Sequence, residues 1–267
     1  MSFDKVRFRI ARGPSQVQVR ELNGFDEQSV NGVDTVTTIN LLDRVIVLPP
    51  GSSSEAFRAA RLTASDRDRL LAVLYERTYG PRIESTVRCT ICESLFDLSF
   101  SIRQLFNTLE AASTSSSAAE PQPDGTFRMP DGARFRLPTG EDELSVAGLL
   151  PEEAERALLQ RCLIEPSESV DLNAIEEAME VVAPVLDLDL DAQCPECGGK
   201  QAVHFDLQSY LLRSISQERK KIAHEIHRLA VAYGWSLNEI LSLPRSLRQT
   251  FMELIEADLS AQQRAYS

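Results

Sequence analysis

The chain has 267 residues, 43% hydrophobic and 25% charged. That is enough apolar content for one large domain or two modest ones, and it excludes a wholly disordered chain. Lys and Arg number 28 against 40 Asp and Glu, a formal charge of −12, so the average surface repels a phosphate backbone and nucleic acid is not an expected partner.

Residues 1–60 read as a β-rich N-terminal segment. The β-branched runs Val17–Arg20, Val33–Ile39 and Arg44–Leu48 are separated by Asn23-Gly24 and Asn31-Gly32, and Pro49-Pro50-Gly51 with three serines marks a loop. No run of 18 apolar residues occurs, and no signal-like apolar core follows MSFDKVRFRI. The expectations are therefore no membrane span and a cytoplasmic location.

Residues 61–103 read as a helix and a first metal knuckle. Thr63 to Asp66 is a helix start, Leu70, Leu71 and Leu74 share a face, and Tyr79-Gly80-Pro81 is a stop. Residues 104–184 read as a folded insert with a low-complexity loop at 111–125. A hairpin turns at Asp131-Gly132, one helix opens at Pro151 and carries Leu158 and Cys162, and another opens at Asp171. Cys162 reads as core filler.

Residues 185–215 hold the second knuckle and its strand. The ladder Asp187-Leu-Asp-Leu-Asp191 resembles the opening of a calcium loop, but Ala192 and Gly198 stand where that loop needs Gly and Glu; a solvated strand face is expected. Residues 216–267 read as C-terminal helices. Ile222, Ile226, Leu229 and Tyr233 form a stripe ending at Gly234, and Ser236 to Glu239 is a capping box. A last helix after Pro244 carries Leu247, Phe251, Leu254, Ile255 and Leu259.

Four of the five cysteines form two C-x-x-C pairs, Cys89/Cys92 and Cys194/Cys197. A C-x-x-C turn lets two thiolates converge on one metal, and two such turns complete the closed S4 shell of structural Zn2+. Each pair precedes a strand-like alternation, at Phe96, Leu98 and Phe100 and at Val203, Phe205 and Leu207. That order describes a zinc ribbon split by the 101 residues between Cys92 and Cys194. Unrelated buried thiol pairs and a redox pair are the alternatives. With every ligand a cysteine, no coordination position is open for a catalytic water, so Cys89, Cys92, Cys194 and Cys197 are expected to hold one structural Zn2+ per chain, or iron.

The familiar catalytic signatures are missing. There is no glycine-rich phosphate loop and no G-x-S-x-G elbow, and the histidines of His224-Glu-Ile-His227 stand three apart where a zinc-protease helix needs four. A non-enzymatic protein without a small-molecule substrate is expected.

Several segments occur in an order that resembles the baseplate hub assembly family of T4-like bacteriophages, also found in phage tail-like contractile injection systems. They are the helix ending at Tyr79-Gly80 before a knuckle, Leu137-Pro-Thr-Gly-Glu-Asp142, Leu159-Gln-Arg-Cys162, Cys194-Pro-Glu-Cys197-Gly198, and the tail from His227 to Leu241. The resemblance covers roughly residues 60–258, and Tyr233-Gly-Trp-Ser236 and the second knuckle are its most specific parts. One departure is the first knuckle, Cys-Thr-Ile-Cys-Glu, which lacks the proline and glycine of the second.

The resemblance implies an assembly role whose partners are other baseplate or tail subunits. The fold expected is α+β: a small β-rich N-terminal part, a split four-cysteine ribbon with a folded insert, and a C-terminal helical segment. Tyr233, Trp235 and His227 are candidate partner contacts, with Trp235 either an internal packing anchor or an exposed one. The rival reading is a nucleic-acid-binding zinc-ribbon regulator, which requires a basic ribbon face.

Overall fold

The computed structural model describes residues 4–8, 16–48, 57–114, 119–166 and 171–265. It is an α+β protein with three separate cores.

At the N-terminus β1 (Asp4–Arg7), β2 (Gln16–Val19) and β3 (Ile46–Val47) form an antiparallel sheet in the order β1-β2-β3. Between β2 and β3 lie α1 (Gly24–Ser29) and α2 (Thr35–Val45). The expected strand at 33–39 is therefore a helix. Asp34 accepts a hydrogen bond from the Thr37 amide and caps it, and Thr38, Ile39, Leu41, Leu42 and Val45 form its buried face. A helical stripe that buries two leucines overrides the weak strand preference of Val and Thr. Asn23-Gly24, expected only to separate two strand-like runs, opens α1, with Asn23 as its cap. The expected loop at 49–54 lies outside the described residues.

α3 (Ala64–Tyr79) begins at the Thr63 cap and ends at Gly80, as its sequence signals require. Its buried Leu70, Leu71 and Leu74 join the N-terminal sheet and α2 in the main core. There follow β4 (Arg82–Arg88), the first knuckle, β5 (Leu95–Ser101) and α4 (Ile102–Thr114). The low-complexity stretch is more ordered than expected: α4 runs to Thr114, and β6 (Glu120–Pro121) pairs with β7 (Phe127–Arg128). Residues 115–118 of that stretch lie outside the described residues.

The insert holds its own core. β7 and β8 (Arg134–Phe135) pair as the hairpin expected around Gly132, whose φ of +95° suits glycine in that turn. α5 (Gly140–Val146), α6 (Pro151–Cys162), β9 (Leu163–Glu165) and α7 (Leu172–Val182) complete it. Phe127, Phe135, Leu159, Ile175 and Met179 pack with a fully buried Cys162, whose thiol is pushed up to about 11 by burial.

β10 (Asp187–Gln193), the second knuckle, β11 (Lys200–Asp206) and α8 (Leu207–Gln217) follow. The acidic ladder is an outward strand face, with Asp187, Asp189 and Asp191 exposed. The chain ends in α9 (Arg219–Tyr233), α10 (Leu237–Ser242) and α11 (Arg245–Ala265). Among the described residues no helix is long and apolar enough to cross a membrane.

The two hairpins are copies of one plan. β4, β5, their knuckle and the start of α4 recur 105 positions later as β10, β11, their knuckle and the start of α8. In both, seven-residue strands pair along their whole length. Packing is reciprocal: α3, which precedes the first hairpin, lies on α8, which follows the second, and α4 lies on α7. Phe100 and Phe205, at matched positions, meet edge-on with centroids 5.0 Å apart. The arrangement is a pseudo-two-fold that brings the knuckles tip to tip.

Candidate metal centre

Each knuckle is built by the same backbone bonds. The Cys89 amide donates to the Ser94 carbonyl at 2.9 Å, and the Glu93 amide to the Cys89 carbonyl at 3.0 Å. In the second, Cys194 donates to Gly199 and Gly198 to Cys194, both at 2.9 Å. The turn requires a left-handed residue after the second cysteine, and Gly198 (φ +70°) and Glu93 (φ +62°) supply it. The missing glycine of the first knuckle is thus absorbed as backbone strain at Glu93, the sole non-glycine residue with positive φ among the described residues.

The four sulfurs converge. Cys89, Cys92, Cys194 and Cys197 place their Sγ atoms within 4.8 Å of one another, with Cys89–Cys197 at 3.7 Å and Cys92–Cys194 at 3.8 Å. A tetrahedron of thiolates about 2.3 Å from a central Zn2+ has edges of about 3.8 Å, so the donor set fits a tetrahedral metal in size and number. Cys89 and Cys194 are buried among Phe96 and Ala192, with Val87, Leu98 and Val203 around them, while Cys92 and Cys197 reach the surface.

Electrostatics points the same way. The backbone amides of Cys92 and Ile91 hold the Cys89 thiol below its ordinary value, and hydrogen bonds at Ser94 bring Cys92 down to about 6. Cys197, despite the Gly199 amide, is pushed up to about 12 chiefly by the neighbouring Cys92, Cys89 and Cys194 sulfurs. Four thiolates in this space coexist only if a cation offsets their repulsion.

The sequence reading missed the polar clip between the knuckles. The Gln201 side chain on β11 accepts from the Thr90 amide at 2.8 Å and donates to the Arg88 carbonyl at 3.1 Å, tying the second hairpin to the first. The Cα of Gly199 lies against Ile91 of the opposite knuckle, where a Cβ would stand 2.5 Å from Ile91 Cδ1.

It also missed a repeated docking turn, legible as Arg20-x-x-Asn-Gly-x-Asp-Glu-x-Ser29 and Arg136-x-x-Thr-Gly-x-Asp-Glu-x-Ser145. In each the arginine clamps the aspartate in a two-pronged pair, Arg20–Asp26 at 2.6 and 2.9 Å and Arg136–Asp142 at 2.6 and 2.8 Å. The glutamate reaches an arginine at the start of another helix: Glu143 pairs with Arg67 of α3, and Glu27 with Arg245 and Arg248 of α11. Self-comparison at this short length would have found the repeat; helical periodicity, the signal used, does not register it.

Of the candidate partner residues, Tyr233 and Trp235 come together. Their rings stack at 4.7 Å, and Phe251 meets Trp235 edge-on at 4.9 Å. Trp235 is half-buried and Tyr233 exposed, so the tryptophan packs the elbow while one side of the cluster stays open. His227 is exposed on α9. The outward hairpin faces are of mixed charge, with Glu84, Asp97, Asp187, Asp189 and Asp191 exposed beside Arg82, Arg88 and Lys200. Comparison with protein-family models, curated proteins and solved structures finds no match to this chain.

Proposed function

We propose that the chain is a non-enzymatic assembly protein of a contractile phage tail or tail-like injection-system baseplate, with a structural Zn2+ joining its two knuckles. The single observation that carries the metal half of this reading is the convergence of four thiols from two tip-to-tip hairpins within 4.8 Å. Such a metal clips parts of the chain more than a hundred residues apart and leaves no vacant coordination position for catalysis. The assembly half rests on the family resemblance described above, whose most specific segment, Tyr233 to Ser236, forms the open aromatic elbow between α9 and α10. Other baseplate subunits are the proposed partners, and the cytoplasm is the proposed site of action.

Elemental analysis with thiol titration tests the first half. One zinc per chain and four thiols released by chelation are expected, and Cys92→Ser should lose metal and lower the melting temperature together. Full metal stoichiometry with unchanged melting in that variant refutes the joint site. Deleting the protein from a producing cell tests the second half: sheaths and tubes without competent baseplates are expected, and normal particles refute it.

A further inference from the structure

We infer that the open side of the C-terminal elbow, continued along α11, is an apolar docking strip for an amphipathic helix of another protein whose own apolar stripe carries a cationic residue. This rests on the proposed assembly role and names the chemistry of its partner.

Leu247, Phe251 and Leu254 fall on one stripe of α11 at spacings of four and three. Phe251 closes on Trp235 and Tyr233, while Leu247 and Leu254 are 39% and 51% exposed. The stripe runs on past the body of the protein. Glu253, Leu254 and residues 256–261 are all exposed, so this chain leaves the second half of a 21-residue helix uncovered. An amphipathic helix draws most of its stability from packing of its apolar face, which this stretch lacks.

Two features select the occupant. The stripe offers side chains only, and a helix satisfies its own backbone groups whereas an added strand would leave its ladder unpaired. Next on the same stripe after Leu254 is Asp258, which has no ion pair among the described residues. A second copy would bring to this face another chain of charge −12 with the same unpaired Asp258 on its own stripe. A partner with a lysine or arginine among its apolar residues removes that conflict.

Trp235 is the chain's single tryptophan and packs on Phe251 of the strip, so its emission reports on that face. The experiment titrates the full-length protein with two synthetic 18-residue amphipathic peptides, alike except for a central Lys or Glu within a leucine stripe. The Lys peptide is expected to shift Trp235 emission to the blue and to bind at least tenfold more tightly than the Glu peptide. Leu254→Asp, at an exposed position, should weaken it at least tenfold, and Asp258→Lys should reverse the preference. No shift with either peptide, or equal binding of both, overturns the inference. So does self-association without peptide that Leu254→Asp abolishes, which would make a second copy the occupant. Metal content and particle assembly are read separately, so failure here is distinguishable from failure of the assembly reading.

Discussion

Asp68 on α3 is a buried carboxylate whose protonation should govern the stability of the junction between α3 and the second hairpin. Its Oδ2 accepts the Leu186 amide at 2.6 Å, just before β10. Burial pushes its pKa up to about 7 from 3.8; the Leu186 bond and Arg67 oppose the rise, and Asp206 and Asp187 add to it. Arg67 spends its guanidinium on Glu143. The native state therefore keeps a proton that the unfolded chain releases between about pH 4 and pH 7. Stability falls as pH rises through that window and levels off above it. A shift of about three units at about 1.4 kcal/mol each sets the cost on the order of 4 kcal/mol, as a ceiling. Asp68→Asn keeps an acceptor for the Leu186 amide and abolishes the charge. Urea denaturation of both proteins at pH 4, 6 and 8.5 should give a difference near zero at the acid end. It should grow to a gain on the order of 2–4 kcal/mol for the variant at the alkaline end. Parallel stability curves for the two proteins would refute the reasoning.

Relieving the left-handed strain in the first knuckle by Glu93→Gly should stabilise the metal-loaded protein by about 0.5–1 kcal/mol in thermal unfolding; a loss instead would mean that Glu93 contributes a contact outweighing the strain. Gln201→Ala removes the clip between the knuckles and should cost about 1 kcal/mol and speed metal transfer to a chromogenic chelator, with unchanged release rates counting against the clip. In the repeated docking turn, a Cβ on Gly140 would stand 2.9 Å from Ile39 Cδ1 and 3.1 Å from the Ala60 carbonyl oxygen. Gly140→Ala should accordingly cost about 1–3 kcal/mol by chemical denaturation, and a neutral result would show that the turn can back away from α2 without loss.

Local signals carried much of the fold. The caps at Thr63, Asp171 and Ser236 and the turn at Gly132 stand where the sequence puts them, because each is decided by neighbours within a few residues. The strand expected at 33–39 failed for the complementary reason. Val, Thr and Ile at those positions tolerate either conformation, and burial of Thr38, Ile39, Leu41 and Leu42 against the main core selects the helix.

The four cysteines were legible by type and spacing alone, since thiols in C-x-x-C turns are distinctive chemistry. That they share one site was expected from the matching knuckle-and-strand order of the two pairs, although their spacing could not require it. Two pairs separated by 101 residues are consistent with separate sites until the α3–α8 and α4–α7 packing brings the hairpins tip to tip. Gln201, Asp68 and the Glu27–Arg248 pair were invisible, because a glutamine or a charge has no sequence signature for burial; a partner over a hundred residues away confers its role. The sequence by itself determined the donor atoms and the local turns, which depend on covalent neighbours. The tertiary structure decided the convergence of the donors, a matter of long-range packing that no short window of residues contains.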